Sequence, residues 1–227
     1  CRAGREAAGP HPAFDALEKA ATRWAGTRCE LSGSPSDCEH ADGDRLQMLR
    51  LSCDSGHAEA CMRAAPLVPA DGGGQGDRDL RDDLLRRAAT LRRKACGGGD
   101  GSACAKLADM AEVGEGLPRS RASARRHLKH AVDLFWRSCR DGDGAACMGG
   151  YDLLGDLVSD PSLEKRLLKR AAEIYEAGCA ERSARACFKA GQVHANLAST
   201  PPEAVRWFKQ ACALRHHSGC SSAKETD

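Results

Sequence analysis

The chain has 227 residues, and its 34 Lys and Arg against 32 Asp and Glu leave a formal net charge of +2. This near-neutral balance does not indicate a nucleic-acid binder or an electrostatic binder of membrane surfaces. No apolar run approaches the roughly 18 residues of a transmembrane helix. Aromatic residues make up only 4% of the chain whereas cysteines number 13, so we expect covalent bonds to supply stability that a small aromatic core lacks.

Helical periodicity dominates the sequence. Apolar residues recur at intervals of three and four, as between Leu128 and Phe135, and no stretch shows a convincing two-residue period of a strand. Asp160 before Pro161 is a typical N-cap, and residues 200–203 have the pattern of a capping box. In chain order the pattern predicts helices near 13–28, 44–53, 58–67, 78–96, 102–113, 119–139, 144–158, 161–178, 183–198 and 202–213.

The cysteines recur with a fixed spacing. Ten of them form five C-x7-C pairs whose first members are 43, 43, 40 and 33 residues apart, a period typical of helical solenoids. On the helix map each pair spans a turn, within the Cα separation of about 4.4 to 6.8 Å that a disulfide needs. Zinc sites usually pair cysteines at shorter spacing, so metal ligands or free thiols are the weaker alternative. We predict the disulfides Cys29–Cys38, Cys53–Cys61, Cys96–Cys104, Cys139–Cys147, Cys179–Cys187 and Cys212–Cys220.

A glycine column accompanies the cysteines. Gly56, Gly99 and Gly142 stand three positions after the first cysteine of their pairs, where a residue that tolerates positive φ ends a helix. Arg182 and Arg215 occupy this position in the last two pairs. We therefore expect the last two turns to differ from the others.

The pattern C-x2-G-x3-A-C, followed by small residues such as Ala190 and Gly191, resembles the Sel-1-like repeat in its cysteine-rich form over about residues 44–224. Among its relatives it is most similar to the Helicobacter cysteine-rich proteins. The resemblance implies an all-α fold, a right-handed α-solenoid of antiparallel, TPR-like helix pairs closed by intra-repeat disulfides. We expect one repeat domain over 13–227, with a truncated first repeat at about 29–53.

The same resemblance implies a non-enzymatic, extracytoplasmic scaffold that binds another protein or a peptide on its concave side. Some members of the family are described as binding penicillin or slowly hydrolysing β-lactams, and mitochondrial relatives as binding haem. A β-lactam- or peptidoglycan-binding enzyme and a haem or metal carrier are therefore the two alternatives.

Two polar columns mark the expected partner surface. Arg63, Lys106 and Lys189 stand two positions after the second cysteine, and Asp109, Asp152 and Gln192 stand five positions after it. A separation of three places both columns on one helical face. We predict that this face contacts the partner, with an ordinary solvated surface as the alternative.

Cys1 lacks a partner in the cysteine pattern. A chain that begins at cysteine and continues with Ala, Gly and Pro resembles a bacterial lipoprotein after removal of its signal peptide. We therefore expect a lipid on Cys1, a flexible tether over 1–12, and a location in the periplasm or at the outer membrane. An unpaired thiol or an arbitrary chain boundary is the alternative.

The sequence contains short motifs of catalytic and ligand-binding sites, but the other residues that such sites require do not accompany them. S-x-x-K occurs at residues 162–165 and 221–224, but no S-D-N or K-T-G accompanies it. His127 with His130, and His216 with His217, lack the converging ligands of a metal or haem site. The basic run over 119–129 is typical of a solvated helix face, with an acidic partner or lipid headgroups as the alternative. We predict no catalytic residue, no cofactor, no metal and no nucleic-acid partner.

Overall fold

The computed structural model describes residues 35–68, 74–155, 158–197 and 201–225, and these residues form helices and no strand. The chain divides into two compact units, residues 1–124 and 125–227. A 3-10 helix, Ala65–Leu67, directly follows the α-helix Ala58–Ala64. The α-helices are α1 Pro35–Asp54, α2 Ala58–Ala64, α3 Gln75–Gly97, α4 Gly101–Val113, α5 Arg121–Arg140, α6 Gly144–Asp152, α7 Pro161–Ala180, α8 Ala184–Leu197, α9 Pro201–Ala213 and α10 His217–Glu225.

Consecutive helices pack against one another within each unit, α1 to α4 in the first and α6 to α10 in the second. Tight turns and disulfides join them in antiparallel pairs. Five predicted disulfides are formed, with Cα separations of 4.5–4.8 Å, and they are Cys53–Cys61, Cys96–Cys104, Cys139–Cys147, Cys179–Cys187 and Cys212–Cys220. The predicted all-α repeat with intra-repeat disulfides is confirmed. Cys1, the tether, the helix near 13–28 and the bond Cys29–Cys38 lie outside the described residues.

Each disulfide closes the same backbone turn. In the first such turn the Gly56 N–H donates to the Cys53 carbonyl at 3.0 Å and the His57 N–H donates to the Ser52 carbonyl at 3.2 Å. The equivalent pair of bonds recurs in the other four turns and defines a Schellman motif. The last residue of the motif, which donates its second hydrogen bond, is also the N-cap of the next helix. Its carbonyl accepts from the N–H of the second cysteine. This register accounts for the seven intervening residues.

The expectation that the last two turns differ is wrong. Arg182 and Arg215 adopt φ of 65° and 66°, and they donate to the carbonyls of Cys179 and Cys212 as the glycines do in the earlier turns. A side chain in this left-handed region costs about 1 to 2 kcal/mol. The turn persists because the disulfide and two backbone hydrogen bonds determine the conformation more strongly than the residue's own preference.

Two helix boundaries differ clearly from the predicted ones. α1 begins at Pro35 rather than near residue 44, and α6 ends at Asp152 rather than near 158. Beyond α6 the chain turns, and the Gly155 N–H donates to the Val158 carbonyl at 3.0 Å. The predicted elements also lacked α10, because its residues 217–225 are mainly small and polar and carry no apolar period.

Small residues allow the helices of the second unit to approach closely. The Phe208 ring packs so tightly on Gly191 that a Cβ there would lie 2.5 Å from a ring carbon, and a Cβ on Gly144 would lie 2.8 Å from Tyr175. The described core consists mainly of alanine, leucine and cystine, with few aromatic rings. Among the described helices, none combines the length and apolar character needed to cross a bilayer.

The left-handed arginines predict a gain of stability on substitution by glycine. We expect Arg182→Gly and Arg215→Gly each to raise the free energy of unfolding by about 1 kcal/mol and the melting temperature by about 2 to 4 °C, because glycine tolerates positive φ. Gly142→Ala should have the opposite effect at φ 103°. Gly97→Ala, at a helical position where a Cβ meets open space, is the control without positive φ, and it should not lower stability because alanine has the higher helix propensity. A melting temperature of Arg182→Gly at or below that of the wild type would show that positive φ does not strain Arg182.

The disulfides also predict an order of reduction. Cys212 and Cys220 are partly exposed, whereas the other bonded cysteines are at most 6% exposed. Since a thiolate must reach the bond to exchange with it, limiting reductant should open Cys212–Cys220 first. Trapping with an alkylating reagent followed by peptide mass spectrometry measures the order. Equal or earlier labelling of Cys139 and Cys147 would show that exposure does not control reduction here.

Candidate functional site

A groove of about 440 Å³ lies in the second unit, between residues of α6, α8 and α9. Its polar lining includes three of the six predicted partner residues together with one further amide: Asp152, Lys189, Gln192 and Asn196. Its apolar lining includes Met148, Val193 and Phe208. The structure thus brings the predicted columns of two repeats together in one concave site.

Helix α8 supplies one wall of the groove. The Cys179–Cys187 disulfide and the N-cap Ser183, whose Oγ accepts from the Ala186 N–H at 3.3 Å, fix where this helix begins. Lys189, Gln192 and Asn196 then follow at intervals of three and four, so they share a face. Lys189 Nζ donates to Gln192 Oε1 at 2.9 Å, which orients both side chains.

The apolar part of the groove belongs to the core. Val193 and Phe208 are almost fully buried, and Gly191 lets the Phe208 ring reach the backbone of α8. An apolar base below amides and opposite charges suits a peptide, because amides both donate to and accept from a peptide backbone. Asp152 and Lys189 add a negative and a positive contact.

The other three predicted partner residues belong to the first unit. Arg63 is exposed on α2, and Lys106 and Asp109 are exposed on α4. Lys106 Nζ lies 3.7 Å from Asp109 Oδ2, a surface ion pair of small energetic value. They do not line the groove of the second unit.

The S-x-x-K motif over 162–165 coincides with the first turn of α7. Asp160 Oδ1 accepts from the Leu163 N–H at 2.9 Å, which confirms the predicted N-cap. Ser162 and Lys165 are both exposed, and no hydrogen bond joins them within the described chain. The lysine is thus not placed to activate the serine. In the second motif Ser221 is exposed, and the Lys224 side chain lies outside the described residues.

Of the four histidines considered as ligands, His216 has a structural role. His216 is the N-cap of α10, and its Nδ1 accepts from the Gly219 N–H at 3.2 Å. Its ring also stacks on Phe188 with centroids 4.6 Å apart. His127 is partly buried on α5, whereas His130 and His217 are exposed. The hydrogen bond and the stacking account for His216 without a metal.

Sequence reasoning did not single out His194. Its Nε2 lies 2.6 Å from Glu176 Oε1 and its Nδ1 lies 3.4 Å from Glu203 Oε2, so the ring connects α7, α8 and α9. The ring also stacks on Trp207 with centroids 5.9 Å apart. These partners are far apart in the chain, and only the packing of three helices brings them together.

Tyr175 is a titratable group whose pKa is shifted by its surroundings. Its ring packs against the backbone of Gly144 at the start of α6. Burial raises the pKa of Tyr175 above its ordinary value of 10.0, the Asp143 carboxylate raises it further, and Arg185 acts in the opposite direction. Both effects that raise the pKa favour the neutral phenol.

The solved structures similar to this chain include helical repeat proteins. A Sel1 repeat protein from Oxalobacter formigenes is 20% identical, with 92% of this chain and 78% of that chain covered and a TM-score of 0.36. A protective antigen of uropathogenic Escherichia coli with an SLR fold is 16% identical, with 91% and 48% covered and a TM-score of 0.28. A de novo designed helical repeat protein is 19% identical, with 89% and 96% covered and a TM-score of 0.29.

No protein-family model matches the sequence. No curated protein matches it either. The description of the fold therefore depends on the helix pairs and disulfides of the chain itself.

Tyr175 predicts a loss of stability in alkali. Because its pKa is raised in the folded state, its stabilising contribution is fully present below about pH 10 and is lost as the pH rises through the folded pKa. Asp143→Asn should lower this pKa, since the amide oxygen can still cap α6 but carries no charge. Phenolate absorbance in a Tyr151→Phe background follows Tyr175 alone. An unchanged pKa in Asp143→Asn would exclude the electrostatic contribution.

Proposed function

We propose that the chain is a non-enzymatic protein-interaction scaffold of the cysteine-rich Sel1-like kind, which acts outside the cytoplasm. Its second unit holds a peptide segment of a partner protein in the groove between α6, α8 and α9. The observation that carries this proposal is the convergence of Asp152, Lys189 and Gln192 over the apolar base of one concave site. Peptide recognition uses this combination of amides, charges and apolar contacts.

The redox chemistry of the chain supports an extracytoplasmic location. Five disulfides lie within the described repeats, and four of them are buried in the core. Each closes a short loop that contributes roughly 2.5 kcal/mol in the chain-entropy treatment. A reducing cytosol would remove much of this stabilisation, whereas an oxidising compartment preserves it.

The proposal of a non-enzymatic role follows from the polar groups of the groove. Asp152 is exposed, Lys189 is bonded to Gln192, and among the described residues the lining includes no serine, cysteine or histidine to act as a nucleophile or base. Nitrocefin turnover and an absorbance scan of the purified protein test the β-lactam and haem alternatives directly.

The groove predicts where charge reversal weakens binding. Peptides selected from a display library on the oxidised protein should bind the variant Asp152→Lys with Lys189→Glu at least about tenfold more weakly, because both polar contacts become repulsive. Fluorescence anisotropy of each selected peptide measures the dissociation constant. The matched control is Asp133→Lys with Lys165→Glu, which reverses two exposed charges on α5 and α7 outside the groove.

Circular dichroism and disulfide mapping establish that both variants are folded. Unchanged peptide binding by the folded groove variant would exclude this site. Loss of binding on reversing Arg121, Arg125 and Arg126 instead would transfer the site to α5.

A further inference from the structure

A second surface of the residue 125–227 unit has a different chemistry. Arg140 Cζ lies 5.9 Å and Arg166 Cζ lies 5.1 Å from the centroid of the Trp136 ring. Arg170 Nη2 reaches the Arg140 carbonyl at 3.5 Å, which ties α7 to the end of α5. We call Trp136, Arg140, Arg166 and Arg170 the arginine–tryptophan patch.

The surroundings of the patch are basic. The basic residues on α7 and on the part of α5 within this unit are Arg125, Arg126, Lys129, Arg137, Arg140, Lys165, Arg166, Lys169 and Arg170. The acidic residues on the same segments are Asp133, Glu164, Glu173 and Glu176. Glu173 pairs with Arg170 at 3.1 Å and Glu176 with His194. Arg140 and Arg166 pair with no carboxylate in the part of the chain that the structure describes.

Both guanidinium groups lie over the indole within the distance of a cation–π interaction, which restricts their side chains. An arginine held over a ring keeps its N–H edges free, and its planar fork matches the two oxygens of a carboxylate. Because the side chains are already restricted, less conformational entropy is lost when an anion binds. Two such forks at one ring form a preorganised oxyanion site rather than a diffuse charge.

The side chains around the patch favour a protein segment over a lipid surface as its ligand. The large apolar side chains exposed among the described residues are Leu51, Val113 and Leu197, and none lies on α5 or α7. The patch therefore offers no fully exposed large apolar side chain to insert between lipids, because its Trp136 ring is only partly exposed and has two arginines over it. Asp133 and Glu173 lie among the basic residues and would oppose a continuous sheet of negative charge, whereas separate carboxylates can avoid them.

We propose that the arginine–tryptophan patch binds an acidic segment of a protein, with carboxylates on Arg140 and Arg166. This site lies on other helices than the groove and binds a different chemistry. It does not depend on the peptide site proposed above.

The test uses a hexaglutamate peptide and isothermal titration calorimetry on the oxidised full chain at low ionic strength. We expect Arg166→Gln to weaken binding about tenfold, through the loss of one charge-assisted, bidentate contact, and Arg140→Gln with Arg166→Gln to weaken it further. Arg206→Gln is the matched control, because Arg206 stacks over Trp207 at 5.5 Å on α9 of the same unit. It should change the dissociation constant by less than about twofold, since its charge lies outside the patch.

Two further variants separate the explanations. Arg140→Lys with Arg166→Lys keeps the charge but loses the planar forks, so intermediate binding supports the oxyanion site. Asp152→Lys with Lys189→Glu should bind hexaglutamate as the wild type does, which keeps this proposal distinct from the groove.

Equal weakening by Arg206→Gln and Arg166→Gln would overturn the proposal in favour of general charge attraction. The proposal would also be overturned if the chain did not bind hexaglutamate but bound phosphatidylserine vesicles or duplex DNA through Arg166. Melting curves of all variants exclude unfolding as the cause of any loss.

Discussion

The structure depends on one covalent constraint, the disulfide that joins the end of one helix to the start of the next. The carbonyl of the first cysteine accepts a hydrogen bond in the Schellman turn, and the second cysteine follows the next N-cap by four residues. Both positions have fixed backbone geometry, so their Cα atoms lie 4.5–4.8 Å apart in all five described pairs. The bond holds each pair of helices together independently of the packing between repeats.

This constraint explains which parts of the fold the sequence predicts. The C-x7-C spacing and the glycine at the third position are local requirements of the turn, so they identify the repeats and the disulfides. Arg182 and Arg215 are the instructive failure. Judged by propensity alone they indicate another turn, but the disulfide and the hydrogen bonds impose positive φ on them. For α10 the cysteine register, with His216 four residues before Cys220, was a better signal than apolar periodicity.

The candidate site was predictable only in part. Asp152, Lys189 and Gln192 follow from their distance to the second cysteine. Phe208 does not, because it reaches the groove from the next repeat, where Gly191 leaves room for its ring. The stacking of Arg166 on Trp136 likewise joins residues 30 positions apart on two helices. Contacts of this kind depend on how repeats pack, and the register of a single repeat carries no information about them.

One core position shows how the repeats tolerate different side chains. The residue four before the first cysteine is buried or partly buried in every described repeat, and the column reads Leu49, Arg92, Phe135, Tyr175 and Phe208. In the first unit the position holds Leu49 and then a charged residue, Arg92, which extends to Glu59 Oε2 at 2.8 Å. In the second unit it holds rings, which pack on glycines of neighbouring helices. A repeat whose helices are already joined covalently can exchange an aromatic contact for an ion pair without losing its geometry.

The same independence extends to the surface. In a repeat array, stability is approximately a sum of terms within repeats and between neighbours, so exposed side chains contribute little to it. The disulfides strengthen the term within each repeat and leave the outer residues of α5, α7 and α8 free to vary. Two surfaces of opposite design can therefore coexist in one unit of about 100 residues. The groove combines amides with paired charges, whereas the arginine–tryptophan patch presents cations alone. Because the charged side chains of the two surfaces contribute little to the stability of the helices that carry them, each surface can be altered by charge substitution while the fold is retained.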